Sequence, residues 1–397
     1  MFSTLKSFFK KHWPAVILAV LIGLVSVLPQ IMFVFKAGDS YRGINIAATD
    51  AEDFYASRIR DVYDGHYLIG NSFLQSGKNL PFIAPFLPEL IIGSVGRFSH
   101  LTVSSIINVF RFLCPAALFL LLYFFLLKLF GRKSLALSAP ALIFFLSSLL
   151  NSSRSIFYFF AGGLADNNFL YYSRPVHPEI SSLFLFGFLS VFYSFFLNGK
   201  KIFGWLSLIF FGISVYIYPY LWLFLAALLG VFLIWAAVKK NWPRFKQLLM
   251  ILLGGLALSF FYFINYFAAI KHFSYPGVVL SYNLISTHQQ VISGLILVSL
   301  GLLAIMYFYG REEKIKKAVV FLGLAVISLL VVLNQQLITG YWLQPGHFHW
   351  YITKPLFFIT AVLFLVFALE RLKASGVFKN IFFGSLIVLA FGCGILI

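Results

Sequence analysis

The chain has 397 residues, of which 61% are hydrophobic and only 11% are charged. A water-soluble domain could not bury this much apolar side-chain area, and apolar runs of about 20 residues recur along the chain, so the composition indicates a polytopic helical membrane protein. The formal net charge of +18 suggests nucleic acid at first, but the basic residues lie in short clusters between the apolar runs. This is the positive-inside pattern of membrane proteins, and it sets nucleic acid aside as a partner.

The first predicted span covers residues 14 to 35 and follows a short segment with several lysines. The run is too long for the core of a signal peptide and has no small-residue cleavage site, so we predict an uncleaved span that enters from the cytoplasm. Residues 36 to 100 then form the first outer loop, with amphipathic and juxtamembrane helices. Within this loop, prolines and Glu89 interrupt the apolar residues 80 to 98, which favours an interfacial or re-entrant segment over a full span.

Basic clusters divide the rest of the chain into further spans, and every cluster falls on the cytoplasmic side. The spans predicted after the first outer loop lie at 102–130, 135–150, 180–197, 202–217, 220–238, 247–270, 291–310, 318–333, 350–369 and in the apolar run after Lys379. We therefore predict an all-α fold of about eleven transmembrane helices. Residues 1–397 are expected to form one transmembrane domain in the plasma (inner) membrane, without a soluble C-terminal domain.

Most titratable residues are predicted to lie on the outer side. Nine of the 12 acidic residues and seven of the eight histidines fall there or at its boundary. A charged side chain at a helix centre costs roughly 2.5 to 3.5 kcal/mol on insertion scales, so such residues collect where a water-accessible site uses them. Soluble nucleotide-activated donors are not expected on that side, so an enzyme there would use a donor delivered through the membrane, such as a lipid-linked substrate.

The first outer loop contains the densest polar stretch of the chain. Six acidic residues lie between positions 39 and 64, among them Asp50, Glu52 and Asp53. Tyr55 and Arg58 follow three residues apart and can share one face of a helix. A solvated amphipathic helix on the membrane surface is the alternative to a functional role for this stretch.

The second polar loop covers residues 165 to 179 and places four titratable groups just before a span, namely Asp166, Arg174, His177 and Glu179. The alternative is a proline-rich loop that two tyrosines anchor at the membrane interface.

The third polar loop covers residues 334 to 351, with Lys354 one turn further along. His347 and His349 could ligate a metal, but the absence of a nearby carboxylate makes that signal weak. Hydrogen bonding to a phosphate is the better functional interpretation, and interfacial aromatic residues with polar anchors are the alternative.

The first loop resembles that of the GT-C superfamily of integral-membrane glycosyltransferases. The resemblance lies in the pattern D-x-E-D-x-Y-x-x-R-I from Asp50 to Ile59, directly after the first span, and in the proline-rich segment 81–89 that follows. Segments 173–178 and 344–351 are similar to outer-loop motifs of bacterial relatives. The resemblance covers most of the chain in layout but only these loops in sequence, and none of the motifs is specific for one sugar.

The resemblance implies a sugar donor linked to polyprenyl phosphate or diphosphate, and a lipid or growing glycan as acceptor. A first-loop carboxylate would take the proton from the acceptor hydroxyl or orient it. We assign Asp50 as this base, with Glu52 and Asp53 as rivals, because the acidic spacing departs from the shorter D-E-x-x-Y pattern of some members.

Departure of the lipid phosphate leaves negative charge on the phosphate, which cationic side chains would stabilise. The predicted phosphate-binding residues are Arg58, Arg174, His347, His349 and Lys354. The predicted second acidic or acceptor site consists of Asp166, His177, Glu179 and Tyr55. A divalent cation, Mg²⁺ or Mn²⁺, is required in some subfamilies, and the sequence leaves that requirement open.

Two other functions fit part of the pattern. A glycan polymerase or ligase of the O-antigen type also works from outer loops, but relies on Arg and His rather than on an acidic cluster. A transporter or flippase for a lipid-linked glycan favours polar residues near the bilayer midplane and internal repeats. The predicted spans are nearly free of ionisable residues, with Arg111 as the main exception.

Overall fold

The computed structural model describes residues 2–47, 51–70, 72, 77–82, 84–147, 170–271 and 285–396. Numbered in chain order, the α-helices are α1 Phe2–Ala37, α2 Ala51–Tyr63, α3 Leu87–Ser99, α4 Val103–Phe130, α5 Lys133–Leu146, α6 Glu179–Asn198, α7 Lys201–Ile217, α8 Pro219–Val238, α9 Trp242–Leu258, α10 Phe260–Lys271, α11 Gly294–Tyr309, α12 Glu313–Leu333, α13 Gln336–Thr339, α14 Pro345–Phe348, α15 Lys354–Arg371 and α16 Gly376–Leu396. Two strands of two residues, β1 Ile285–Ser286 and β2 Tyr341–Trp342, pair antiparallel. The predicted all-α class is confirmed, and the sequence did not anticipate the short strand pair.

Seven helical segments of the described chain are long and apolar enough to cross a membrane, so the protein is a multi-pass membrane protein. These segments are Lys10–Ser40, Val103–Phe130, Glu179–Asn198, Pro219–Val238, Glu313–Thr339, Pro345–Arg371 and Gly376–Cys393. Helices α9 and α10 form a further apolar segment that is bent by 45° at their junction. Helices α5, α7 and α11 are apolar but shorter than the roughly 20 residues that a span needs. The count of eleven spans therefore stays a prediction.

The chain divides into two compact units, which are described separately. Unit 1 comprises Met1–Gly65, Glu89–Phe186 and Leu372–Ile397, and unit 2 comprises His66–Pro88 and Gly187–Arg371. The prediction of one domain over the whole chain stays a prediction.

In unit 1, helices α1 and α4 run antiparallel. His12 Nδ1, near the start of α1, forms a hydrogen bond of 2.8 Å with the hydroxyl of Tyr123, near the end of α4. Beyond the other end of α1, the Tyr41 hydroxyl lies 3.4 Å from Ser104 Oγ, in the first turn of α4. Between these points the helices approach closely, since a Cβ atom added at Gly23 would lie 2.7 Å from the carbonyl oxygen of Phe112. Small residues allow such contact between membrane helices.

Helices α5 and α16 of unit 1 run parallel, so both begin at the same end of the unit. The rings of Phe145 and Phe391, towards the ends of the two helices, have centroids 4.6 Å apart. Lys133, at the start of α5, donates a hydrogen bond of 2.9 Å to the carbonyl oxygen of Lys11. The first residues of α1, α5 and α16 and the last residues of α4 together form what we call the basic end of unit 1. Its cationic residues are Lys10, Lys11, Lys128, Arg132, Lys133, Lys373 and Lys379.

The opposite end of unit 1, which we call the acidic end, contains α2 and α3. Each of these helices has 13 residues and is therefore about 20 Å long, too short to cross a hydrocarbon core of about 30 Å. The acidic residues of this end are Asp39, Glu52, Asp53, Asp61, Asp64, Glu89 and Glu179. Helix α3 lies directly on α2, because Gly93 has no side chain to separate it from Ile59 and Val62.

The core of unit 2 is built from aromatic side chains of α6, α8 and α12. The ring centroids of Phe192 and Phe232 lie 4.9 Å apart, and those of Tyr193 and Phe321 are also 4.9 Å apart. The side-chain amide of Asn265, in α10, pairs with the backbone of Phe82: the Phe82 N–H donates at 3.2 Å, and Asn265 Nδ2 donates to the Phe82 carbonyl at 2.6 Å. This pairing attaches the segment before α3 to the helices of unit 2.

We expect Gly93→Ala to destabilise unit 1 by about 1–3 kcal/mol, because overpacking forces helices apart. The added Cβ would lie 2.7 Å from Val62 Cβ and 2.8 Å from the Ile59 carbonyl oxygen. The measurement is the thermal unfolding midpoint of the purified protein in detergent. Gly323→Ala, in α12, is the matched control, because its Cβ would meet nothing within 4 Å. This control should keep its stability or gain up to about 1 kcal/mol from helix propensity, and equal midpoints for the two variants would contradict the close contact.

Candidate functional site

A buried group of charged side chains occupies the acidic end of unit 1. Arg111, in α4, donates from Nη2 to Glu52 Oε2 at 2.8 Å, and Arg174 Nε lies 3.8 Å from Glu52 Oε1. Their side chains are at most 10% exposed. Arg111 also donates to the carbonyl oxygen of Ile46 at 2.8 Å. The Arg111 guanidinium therefore holds both Ile46, which precedes α2, and the first turn of α2 against α4.

Glu179, the first residue of α6, adds a second buried carboxyl group to this region. It is 0% exposed and interacts electrostatically with Arg111 and Glu52. Neither of its carboxyl oxygens accepts a hydrogen bond from the described residues. A buried polar group without a hydrogen bond is costly in free energy and uncommon in folded proteins. The Glu179 carboxyl group is therefore a candidate for contact with a ligand.

Two members of the predicted acceptor site come together at the same end. The rings of Tyr55 and His177 meet edge to face, with centroids 5.4 Å apart. His177 is buried, whereas Tyr55 is only partly buried. The structure thus brings Tyr55, His177, Arg174 and Glu52 into one region of unit 1, although they come from two separate loops of the sequence.

A cavity of about 230 Å³ opens beside the charged group. Its lining includes Asp53, Glu52, Arg111, Asn45 and Ser104. The volume lies below the roughly 300 to 1,000 Å³ of pockets for drug-sized ligands, so the cavity suits a smaller group.

The two described carboxylates of this cavity differ in their surroundings. Asp53 is exposed and forms no hydrogen bond or ion pair with any described residue. Glu52 is buried and ion-paired with Arg111. Asp53 is therefore the carboxylate that is accessible to an incoming hydroxyl group.

Arg58, a predicted phosphate ligand, lies in a different contact. Its Nε is 2.7 Å from Glu89 Oε1, and the two side chains are 1% and 2% exposed. The guanidinium also lies over the ring of Phe54, 5.1 Å from its centroid. This ion pair joins α2 to α3, and the assignment of Arg58 to phosphate stays a prediction.

The predicted residues of the third loop belong to unit 2. The ring of His347 stacks on Tyr220 with centroids 4.3 Å apart, and its Nδ1 is hydrogen-bonded to the hydroxyl of Tyr218. His349 begins a π-helical turn, His349–Thr353, and interacts electrostatically with Lys354. Such turns are frequent at functional sites.

Lys354 is the first residue of α15 and is completely buried. A buried lysine in a membrane segment is expensive and therefore a default candidate for function. Asp50 and Asp166, the remaining predicted site residues, lie outside the described residues.

The charged group does not fit a divalent cation at Glu52, because two guanidinium groups lie within 4 Å of that carboxylate. In the part of the chain that the structure describes, no three His, Cys, Asp or Glu residues are grouped as metal ligands.

The candidates chosen from the sequence omit two residues that form buried ion pairs. Arg111 is the main ionisable residue inside a predicted span and is not among the candidates. That position alone was a sufficient signal, because a charge within a membrane helix marks a functional candidate with a partner to be found. Glu89 was treated only as an interruption of an apolar segment, and no local signal identifies Arg58 as its partner.

Comparison with known proteins identifies no family for the chain. No protein-family model matches the chain, and no curated protein is significantly similar to it.

We expect Glu89→Gln to destabilise the protein by about 3–5 kcal/mol, because it leaves the Arg58 guanidinium as a buried charge without its carboxylate. The double variant Arg58→Met with Glu89→Leu removes both charges and should recover most of that loss. Thermal unfolding in detergent compares the three proteins. If the double variant were as unstable as Glu89→Gln, the loss would come from packing rather than from the unpaired charge.

Proposed function

We propose that the protein is a membrane glycosyltransferase of the GT-C type. It transfers a sugar from a polyprenyl-phosphate-linked donor to a lipid or glycan acceptor. The observation that carries this proposal is the cavity at the acidic end, where the exposed Asp53 carboxylate stands beside the buried pair of Glu52 and Arg111. A first-loop carboxylate that is accessible and positioned by a rigid neighbour is what general-base transfer to a sugar requires.

Asp53 acts as the general base in this proposal. Its carboxylate takes the proton of the acceptor hydroxyl while the hydroxyl oxygen forms a bond to the anomeric carbon. The bond from that carbon to the phosphate oxygen breaks, and polyprenyl phosphate leaves with the electron pair. Glu52 is less suited to this step, because it is buried and held in an ion pair with Arg111. Glu52 instead positions the first turn of α2 beside the cavity.

Arg174 is the cation proposed to stabilise the departing phosphate. It lies in the turn before α6, next to Pro175, which lines the cavity, and 3.8 Å from Glu52. A guanidinium held where negative charge develops lowers the barrier without reorganisation during the reaction. His347, His349 and Lys354 remain phosphate candidates, supported by the π-helical turn and the burial of Lys354.

The acidic end is proposed to face away from the cytoplasm. The basic end of unit 1 combines cationic residues with no described Asp or Glu, whereas the cationic residues of the acidic end lie among carboxylates. Basic residues flanking membrane helices favour the cytoplasmic side. This orientation gives a cytoplasmic N-terminus and an active site on the extracytoplasmic face of the plasma membrane.

A transporter of lipid-linked glycans is the second candidate, and two features of unit 2 favour it. Lys354 is completely buried in a membrane segment, and α9 and α10 are bent by 45° at their junction. Interrupted helices and buried polar groups are typical of transport sites. A carrier would move a polyprenyl-phosphate sugar across a vesicle membrane without releasing polyprenyl phosphate, so one vesicle assay separates the two functions.

We expect Asp53→Asn to reduce sugar transfer by about 10²-fold or more, the contribution typical of a general base. The full chain is reconstituted in vesicles with polyprenyl-phosphate-linked hexoses or pentoses, and release of polyprenyl phosphate is measured. Because Asp53 is exposed and has no partner among the described residues, the variant should have the same thermal unfolding midpoint as the unmodified protein.

Asp64→Asn is the matched control, since Asp64 follows the other end of α2, does not line the cavity and is ion-paired with the exposed Arg60. It should retain transfer. Asp50→Asn is measured in parallel, and loss of transfer in that variant with full activity of Asp53→Asn would move the base to Asp50. Release of polyprenyl phosphate from none of the donors, or equal release by all variants, would refute the transferase.

A further inference from the structure

We propose that a second cavity, at the basic end of unit 1, binds a phosphate group, that of an anionic membrane lipid in preference to free phosphate. This cavity has a volume of about 290 Å³ and lies between the starts of α5 and α16. Its polar lining consists of Arg132, Ser134, Lys379 and Asn380. The site is separate from the acidic end and does not depend on the proposed transferase activity.

The two cations of the cavity come from different helices and converge on one volume. Arg132 immediately precedes α5, and Lys379 lies in the first turn of α16. A guanidinium and an ammonium are the side chains that proteins use most for phosphate, and Ser134 and Asn380 can add hydrogen bonds. Basic pockets between membrane helices on the cytoplasmic side are typical sites for lipid head groups.

The backbone adds to this positive potential. Helices α5 and α16 both begin at the cavity, so the positive ends of both helix dipoles point towards it. The side chain of Arg132 forms no cap to the first turn of α5, whereas Ser375 Oγ accepts from the Phe378 N–H in α16. The N–H groups at the start of α5 are therefore the less satisfied of the two sets.

The described carboxylates of unit 1 belong to its acidic end. Residues 1–38, 90–165 and 372–397 contain no Asp or Glu, and these ranges include all the cationic residues of the basic end. A carboxylate from these ranges therefore does not provide the counter-charge for the cavity. At the boundary of an apolar helix bundle, the anions at highest concentration are lipid phosphates.

The apolar side of the cavity distinguishes a lipid from a free anion. Leu135 and Phe383 line it where the apolar parts of α5 and α16 begin, and both side chains are buried. A lipid can place its phosphate against the cations and its acyl chains along these two helices. Free phosphate would use only the polar half of the lining.

The test measures lipid binding to the purified full-length chain in nonionic detergent. Phosphatidylglycerol and phosphatidylcholine are added at equal concentrations, and bound lipid is counted by native mass spectrometry. Arg132→Gln combined with Lys379→Gln should weaken phosphatidylglycerol binding by about tenfold or more, since each cation beside an anionic lipid contributes several-fold. Lys10→Gln combined with Lys373→Gln removes the same charge from the same end without touching the cavity, and should change binding little.

A second pair of variants tests the cavity without changing any charge. Gly376 lines it, and a Cβ added there meets nothing within 4 Å, so Gly376→Leu fills the space without a clash at Cβ. Gly384, in the same helix, is equally open but does not line the cavity, which makes Gly384→Leu the matched control. We expect Gly376→Leu to lose bound phosphatidylglycerol and Gly384→Leu to retain it, with unchanged unfolding midpoints for both.

Inorganic phosphate and glycerophosphate are added as competitors to separate the two sources of phosphate. Retention of phosphatidylglycerol in the presence of both competitors supports the lipid site, and its displacement by millimolar inorganic phosphate would overturn the preference for a lipid. Equal losses in cavity and control variants, or equal binding of phosphatidylcholine, would overturn the proposal, because surface charge or apolar contact alone would then explain the binding.

Discussion

The pairing of buried charges is the constraint on which unit 1 depends. An isolated charge removed from water costs far more than a folded domain can offset, so each buried ion must find a partner. Arg111 meets Glu52 at 2.8 Å and Arg58 meets Glu89 at 2.7 Å, both nearly inaccessible to solvent. These two pairs fix α2 to α4 and α3 to α2. Helices α2 and α3 are therefore held beside α4, and the cavity is lined by α2, by the residues that precede it and by α4.

The alternation of buried and exposed carboxylates follows from helix geometry. Successive residues of an α-helix point about 100° apart, so Glu52 and Asp53 in the first turn of α2 face different surroundings. One is held against Arg111, and the other faces the cavity. The same acidic stretch can thus supply both a structural anchor and a reactive group. In the proposed transferase, the ion pair of Glu52 with Arg111 determines the position of the Asp53 carboxylate.

Local sequence patterns predicted the helices but not these pairs. Runs of apolar residues mark the membrane helices directly, because the hydrocarbon requires both apolar side chains and internal backbone hydrogen bonds. Arg58 and Glu89 are 31 residues apart, and Glu52 and Arg111 are 59 apart, so periodicity contains no information on their contact. The candidates from the first two loops follow from residue type, position and the family resemblance, whereas the distinction between Glu52 and Asp53 requires the fold.

The partnership of α5 with α16 has a consequence for biosynthesis. Helix α5 is made early, but the helix that packs along it is translated only after the whole of Gly187–Arg371. A ribosome-bound chain therefore holds α5 with that face uncovered while unit 2 emerges. Contacts so distant in sequence form slowly and leave intermediates open to wrong association. Completion of unit 1 thus requires the synthesis of α16, and insertion factors that shield apolar helices would matter most in the interval before it.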